Sequence, residues 1–316
     1  MTGKGDMGLC VSCAFPCFGK IRNISRMSMK IYHFLALLLS VAAPSAMAAP
    51  ICGETPRIAE LRAAWGDANG PLMVASHRGG HIRAPENSLA AIDEAIEAGA
   101  DFIEIDVHVT SDGVPYILHD RTLDRTTNDT GPSEEVSYAE LRALRLKGGD
   151  TPPPTLLEIL RHSCGRVLID LDMKTDRIAP VVAVITGLGM ADQVMMFDGD
   201  SNALRTARSM APDMPVMTRL RKGEKLDDIN AGLSPVGIVH GDEESLTQGN
   251  SAAIKAISAR IWANSLGPVD ELIQARSPKI CPALKAMEKQ GVSVIQTDYP
   301  ADLRYYIAQC GLGESR

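Results

Sequence analysis

Phe102-Ile103-Glu104-Ile105-Asp106-Val107 and Leu168-Ile169-Asp170-Leu171-Asp172-Met173-Lys174 are the two stretches on which the fold turns. Each alternates in character with a period of two, the period of an extended strand. In the first, Ile103, Ile105 and Val107 share one face, while Glu104 and Asp106 share the other. In the second, Ile169, Leu171 and Met173 lie opposite Asp170, Asp172 and Lys174. Carboxylates on the inner face of a strand are costly unless something cationic sits between them. A closed barrel wrapped by helices accommodates both faces: the apolar side meets the helices and the acids point inward.

Working outward, further β-rich runs occur at Leu72–Ser76, Gln193–Phe197, Met214–Thr218, Val236–His240, Arg260–Asn264 and Val292–Thr297, with the two central runs spanning Asp101–Val107 and Arg166–Met173. Amphipathic stretches separate them. Leu89, Ile92 and Ile96 share a helical face that stops near Gly99. Ser137-x-x-Glu140 and Thr155-x-x-Glu158 are capping boxes. Eight strands alternating with helices predict an α/β protein with a parallel sheet, and about 240 residues is the usual size of a (β/α)8 TIM barrel. A doubly wound open sheet is the alternative, since periodicity does not report closure.

One stretch breaks the alternation. Thr110-Ser111-Asp112-Gly113 separates two β runs, and Asp-Gly there predicts a hairpin after the second barrel strand. A two-residue turn would set His119 directly opposite Asp106. Arg121 to Gly131, rich in Thr, Asp and Asn, then forms a loop or small insertion over the same barrel end.

Composition bounds the rest. The 316 residues are 45% hydrophobic and 22% charged, with a formal net charge of −7. That acidity argues against nucleic-acid binding, which needs a basic surface. Residues 1–48 read as a leader with a secretory signal peptide: Arg26 and Lys30, an apolar core over 31–43, then Ala46-Met47-Ala48. The core is shorter than the ~20 residues of a membrane span, so no stable span is expected after cleavage. Residues 49–316 would form a single domain, periplasmic or secreted. Cys10, Cys13 and Cys17 belong to the leader. Cys52, Cys164, Cys281 and Cys310 remain, enough for up to two disulfides of unassigned pairing.

The chemistry gathers at strand ends. Oxygen ligands from two strands, without thiolate, suit one divalent cation, Ca²⁺ or Mg²⁺. Glu104, Asp106, Asp170 and Asp172 can supply three or four of them. His77 and Arg78 close the first strand, at the end where barrel active sites lie. His119 arrives by the hairpin. His33, His81, His108, His162 and His240 read as packing or surface residues.

His77-Arg78-Gly79, Pro85-Glu86-Asn87-Ser88, Glu104-Ile105-Asp106-Val107, His119-Asp120 and Asp172-Met173-Lys174 together resemble the glycerophosphodiester phosphodiesterase family. Pro154-Thr155-Leu156, Trp262-Ala263-Asn264 and Thr297-Asp298-Tyr299-Pro300 extend the resemblance, in order, over residues 72 to 305. It implies metal-dependent hydrolysis of a small glycerophosphodiester to glycerol 3-phosphate and an alcohol. His77 and His119 would be the acid–base pair, Glu104 and Asp106 metal ligands, Arg78 and Lys174 phosphate ligands. Asp172 stands where the family usually has Glu, one methylene longer, as a further metal ligand, and Asp170 could supplement it. Trp262 stands at the family's aromatic substrate position, where barrel packing is the other role open to it. A lysophospholipase-D-like enzyme and a non-catalytic exported binding module are the two rival readings on the same barrel. Oligomeric state is not legible in the sequence.

Overall fold

The computed structural model describes residues 52–313. The expected leader, with Cys10, Cys13, Cys17 and His33, lies outside the described residues.

All eight expected barrel strands form. They are β1 (Met73–Ser76), β2 (Phe102–Val109), β4 (Leu168–Met173), β5 (Val194–Phe197), β6 (Val216–Arg219), β7 (Ile238–His240), β8 (Arg260–Asn264) and β9 (Val294–Thr297). The hairpin adds β3 (Pro115–Ile117), antiparallel to the end of β2. The other eight pair in parallel, and β1 meets both β9 and β2, so the sheet closes into the expected (β/α)8 barrel. Between strands run α2 (Leu89–Glu97), α3 (Tyr138–Ala143), α4 (Leu156–Ser163), α5 (Ile178–Gly187), α6 (Ser201–Met210), α7 (Leu226–Asn230), α8 (Gln248–Ala256), α9 (Pro268–Gln274), α10 (Ile280–Lys289) and α11 (Pro300–Gln309). Both capping boxes are made, Ser137 with Glu140 on α3 and Thr155 with Glu158 on α4.

The two-faced strands behave as their alternation requires. Ile103, Ile105, Val107, Ile169 and Leu171 join Ile92 and Ala95 of α2 and Leu156, Ile159 and Leu160 of α4 in the main core. Fully burying an aliphatic side chain of this size contributes about 1.5–3 kcal/mol, so this layer carries much of the fold. Inside the barrel a second cluster holds Met73, Ala75, Phe102, Leu168, Met195, Met217, Ile238, Trp262 and Val294.

Three features differ from expectation. The sequence reading assigns no element before Leu72, yet α1 (Pro56–Gly66), capped by Thr55, sends Ile58 and Leu61 into the barrel interior from its amino end. The hairpin turn takes three residues, Ser111 to Gly113, with Gly113 in the left-handed region. Val107 therefore pairs with Ile117, and Leu118 rather than His119 meets Asp106, its N–H donating to the Asp106 carbonyl. Lastly, the insertion is larger than 121–131. It has a small core of its own, Tyr116, Leu118, Leu123, Val136, Leu141 and Leu144, and includes α3.

Two disulfides form, Cys52–Cys164 and Cys281–Cys310. Among the described residues no helix is long and apolar enough to cross a membrane.

Candidate active site

The chain leaves β1 by a sharp turn that aims side chains across the barrel mouth. His77 N–H still pairs with the Thr297 carbonyl of β9, but Arg78 follows with φ +51° and Gly79 with φ +72°. Positive φ is unfavourable for a residue with a Cβ, so Arg78 holds a strained conformation at the barrel mouth. Both glycines after it are required by proximity to α2. A Cβ on Gly79 would stand 2.9 Å from Ala91 Cβ, and one on Gly80 would stand 2.8 Å from Ala95 N. The turn is fixed because Arg78 N–H donates to Glu104 Oε2 at 2.9 Å. Asn87, itself at φ +59°, donates from Nδ2 to Asp106 Oδ2 at 2.8 Å, and its N–H bonds the Arg78 carbonyl. Ser88 then caps α2.

The inward acids meet as the strand register dictates. Asp106 on β2 lies beside Asp172 on β4, and Glu104 beside Asp170 one layer down. Glu104, Asp106 and Asp172 each offer an oxygen, and these lie within 4.8 Å of one another. Aspartate in place of glutamate at 172 therefore still reaches the cluster, while Asp170 does not join it. Burial, then the charges of Asp106 and Asp172, pushes the Glu104 carboxyl well up. Burial raises Asp172 as well, against the opposing pull of Lys174, and raises Asp170 with help from Asp172 and Asp106. Lys174 Nζ reaches Asp172 Oδ2 at 2.6 Å and Asp106 Oδ1 at 3.2 Å. Buried Asp106 Oδ1 has no well-directed hydrogen bond, and neither has Arg78 Nε, 3.6 Å from Asp106 Oδ2. Crowded carboxylates, one of whose buried oxygens faces Lys174 without a well-directed hydrogen bond, fit a hard divalent cation, whose oxygen ligands they would supply.

Two histidines flank this cluster, each hung by Nδ1 on an aspartate. His77 Nδ1 lies 2.6 Å from Asp298 Oδ1, with its Nε2 4.0 Å from Glu104 Oε2. His119 Nδ1 lies 2.6 Å from Asp120 Oδ1. A carboxylate on Nδ1 fixes the tautomer that leaves Nε2 free to exchange a proton. Asp298 is opposed by burial, yet hydrogen bonds from His77 and His81 hold its carboxyl below the usual range. Asp120 is likewise held low, chiefly by Arg125 and then by His119. Arg125 also bridges to Glu86 at 2.7 and 2.8 Å, and Glu86 pairs with Arg78 at 3.0 Å. An alternating chain of charge, Arg78–Glu86–Arg125–Asp120–His119, thus ties one side of the mouth to the other. A cavity of roughly 480 Å³ opens beside it, lined by His119, Asp120, Lys174, Thr175, Asp176 and Asp198 among others.

Seven of the eight candidate residues, His77, Arg78, Glu104, Asp106, His119, Asp172 and Lys174, gather at the carboxyl end of the barrel. Trp262 has no exposed surface. It packs edge-on to Phe102 and donates from Nε1 to Asn264 and Gln296, which is the packing role of the two open to it. Among the histidines read as bland, His108 pairs with Glu134, His162 with Asp93, and His240 lies under Arg219. His81 departs from that reading, since its Nε2 stands 3.0 Å from Asp298 Oδ1 inside the site. Glu86, Asn87, Asp120 and Asp298 stood within the quoted motifs without an assigned part; Arg125, in the insertion, carried no signal.

Comparison with known proteins agrees with this fold. Residues 77–295 match the glycerophosphoryl diester phosphodiesterase family. Glycerophosphodiester phosphodiesterase 1 of Rattus norvegicus is 41% identical over 108 residues, 31% of this chain and 33% of the relative. The chain thus spans about a third of the length of that relative. A glycerophosphodiester phosphodiesterase of Caldanaerobacter subterraneus is 30% identical over 157 residues, 46% of this chain and 65% of the relative. Among solved structures, the enzyme of that name from Agrobacterium tumefaciens superposes with a TM-score of 0.64 at 28% identity, covering 74% of this chain and 99% of its own. A phosphodiesterase of Oleispira antarctica, solved with the product sn-glycerol-3-phosphate, gives 0.65 at 26% identity, covering 75% and 97%. With the family match spanning most of the chain and the mouth of the barrel built as described, this chain belongs to the glycerophosphoryl diester phosphodiesterase family.

Proposed function

We propose that this chain hydrolyses glycerophosphodiesters to glycerol 3-phosphate and an alcohol, working in the periplasm or outside the cell. The observation that carries the reading is the pair of His–Asp dyads on either side of an all-oxygen carboxylate cluster, with Arg78 and Lys174 at its edge. A divalent cation held by Glu104, Asp106 and Asp172 would supply Lewis-acid stabilisation of charge on the phosphoryl oxygens. The chain's own groups do the rest. The Arg78 guanidinium and Lys174 ammonium bind the non-bridging oxygens and offset their charge as it grows. His77 Nε2 takes the proton from the attacking hydroxyl, which the family resemblance implies to be the glycerol 2-hydroxyl. His119 Nε2 gives a proton to the departing alkoxide as the phosphorus–oxygen bond to the alcohol breaks. Water then opens the cyclic phosphate with the two histidines in exchanged roles.

The polar lining of the cavity beside His119 suits a hydrophilic alcohol better than an acyl chain, which favours glycerophosphodiesters over lysophospholipids. Purified protein supplied with glycerophosphocholine or lysophosphatidylcholine, each with Ca²⁺ or Mg²⁺, tests this. Release of glycerol 3-phosphate from the first, lost on chelation and restored by either ion, is expected. Faster turnover of lysophosphatidylcholine, or full activity after exhaustive chelation, would overturn it. Export is supported by the leader sequence and by two disulfides, which persist in oxidising compartments. Intact mass after expression in a Gram-negative host should show a mature start near Ala49.

A further inference from the structure

Beside the acidic cluster lies a second set of donors of different chemistry. His77 Nδ1 and His81 Nε2 converge on one oxygen of Asp298, at 2.6 and 3.0 Å, and the three donors lie within 4.8 Å of one another. All three side chains are partly open to solvent, so an ion can enter from solution. Two imidazole nitrogens and one carboxylate oxygen suit a borderline transition ion such as Zn²⁺, whereas Mg²⁺ and Ca²⁺ prefer the neighbouring all-oxygen set. Zinc bonds of about 2.0–2.1 Å in tetrahedral geometry place ligand atoms about 3.3 Å apart, so the His77 and His81 spacings to Asp298 need to widen by about 0.7 and 0.3 Å. Asp298 is held in place for this: its N–H donates to Asp270 Oδ2 at 2.9 Å. The other oxygen of Asp270 takes the hydroxyls of Ser265 and Thr297. Cys52, Cys164, Cys281 and Cys310 are paired, so none of them offers a competing thiolate.

We propose that His77, His81 and Asp298 form a transition-metal site whose filling switches the enzyme off. The switching half rests on His77 being the base of the proposed function; the binding half does not. While Asp298 accepts from Nδ1–H, His77 Nε2 carries a lone pair. A metal bound at Nδ1 takes that nitrogen's lone pair instead, and the proton of the neutral ring must then sit on Nε2. The base is lost without any ion at the acidic cluster being displaced.

Cobalt separates the two sites, because Co²⁺ bound by nitrogen and oxygen in low symmetry absorbs visible light and Mg²⁺ does not. The full chain, saturated with Mg²⁺, is titrated with Co²⁺ beside the variant His81→Gln. Cys10, Cys13 and Cys17 are then common to both samples. A Co²⁺ spectrum that Mg²⁺ fails to remove, that Zn²⁺ displaces, and that weakens by at least about tenfold in His81→Gln is expected. Hydrolysis of glycerophosphocholine should fall as Zn²⁺ is added, and His81→Gln should need at least about tenfold more Zn²⁺ for the same loss. An unchanged circular-dichroism spectrum and melting temperature show that the variant is folded. Cobalt displaced by Mg²⁺, or equal affinity in the variant, would overturn the site. Binding as expected with no inhibition would overturn the switch alone, and binding without any phosphodiesterase activity would sink the proposed function while leaving the site standing.

Discussion

Arg260, buried, and Arg78, partly buried, lie at opposite ends of the same barrel, and their surroundings treat them differently. At the amino end Arg260, 1% exposed, donates to the carbonyls of Ala64, Trp65, Pro71 and Ser293. Its charge is matched within the chain by these carbonyls, two of which, Ala64 and Ser293, also accept the backbone N–H groups of Asp67 and Met73. At the carboxyl end, Arg78 Nε, Asp106 Oδ1 and both oxygens of Asp170 are buried without a hydrogen bond. Buried polar groups are nearly always satisfied, and exceptions mark strain or function. The same fold therefore contains a closed end whose charge is satisfied and an open end that carries an electrostatic cost, as the proposed binding site requires.

Four changes should break or sharpen that contrast, the largest first. Glu104→Gln should lower turnover by at least about 10³-fold even at saturating Mg²⁺ or Ca²⁺. Its melting temperature without metal should not fall, because one of three crowded carboxylates has been neutralised. A large loss of stability would place Glu104 with the structural charges instead. Arg260→Met should do the reverse, costing about 1–3 kcal/mol of stability by removing the guanidinium's hydrogen bonds to buried carbonyls, with turnover per folded molecule unchanged. Denaturant unfolding alongside an active-site titration reads both.

His77 and His119 separate next, by leaving group. A nitrophenolate departs without a proton, so His119→Ala should keep far more of its activity on a nitrophenyl phosphodiester than on glycerophosphocholine. His77→Ala should lose about 10²- to 10⁴-fold on both. The opposite pattern reverses the two roles.

The smallest effect is on pH. Glu104, Asp170 and Asp172 all have folded-state pKa values raised above those of the unfolded chain. A raised carboxyl contributes stability that is present below its unfolded value, about 4 for such groups, and is lost as pH rises through the folded value. Metal-free protein should therefore melt higher near pH 5 than near pH 8. Saturating Mg²⁺ should flatten or invert that slope, since the ion favours the ionised acids. Thermal scans across this range, with and without chelator, decide it; a metal-free slope of the opposite sign would show that other groups dominate.

What the sequence made legible follows from what a period of two can report. Alternation in 102–107 and 168–174 assigned every inward carboxylate, because facing is fixed once a strand is known. It did not report register across a turn: one extra loop residue before Val114 placed Leu118 where His119 was expected. His81 lies on a loop, where no period says which way a side chain faces. Asp298 acts on His77 from 221 residues away in sequence, a distance no local pattern spans. Helix α1 has weak amphipathicity, its buried Ile58 and Leu61 set among small and charged residues, so nothing local announced it.

That helix also bears on where the folding unit begins. The stretch recognised as the family starts at His77 and stops at Ile295. Cut there, the barrel would lose β1, the end of β9, Asp298, and everything beneath its floor. Met73, Phe102, Trp262 and Val294 are dry because Ile58 and Leu61 lie under them, and Arg260 is quiet because Ala64 and Trp65 receive its protons. A chain begun at Leu72 would carry every candidate catalytic residue and still open its underside to water. For truncation, fusion or permutation, the indivisible piece thus includes Cys52, whose bond to Cys164 rivets the floor to the end of α4.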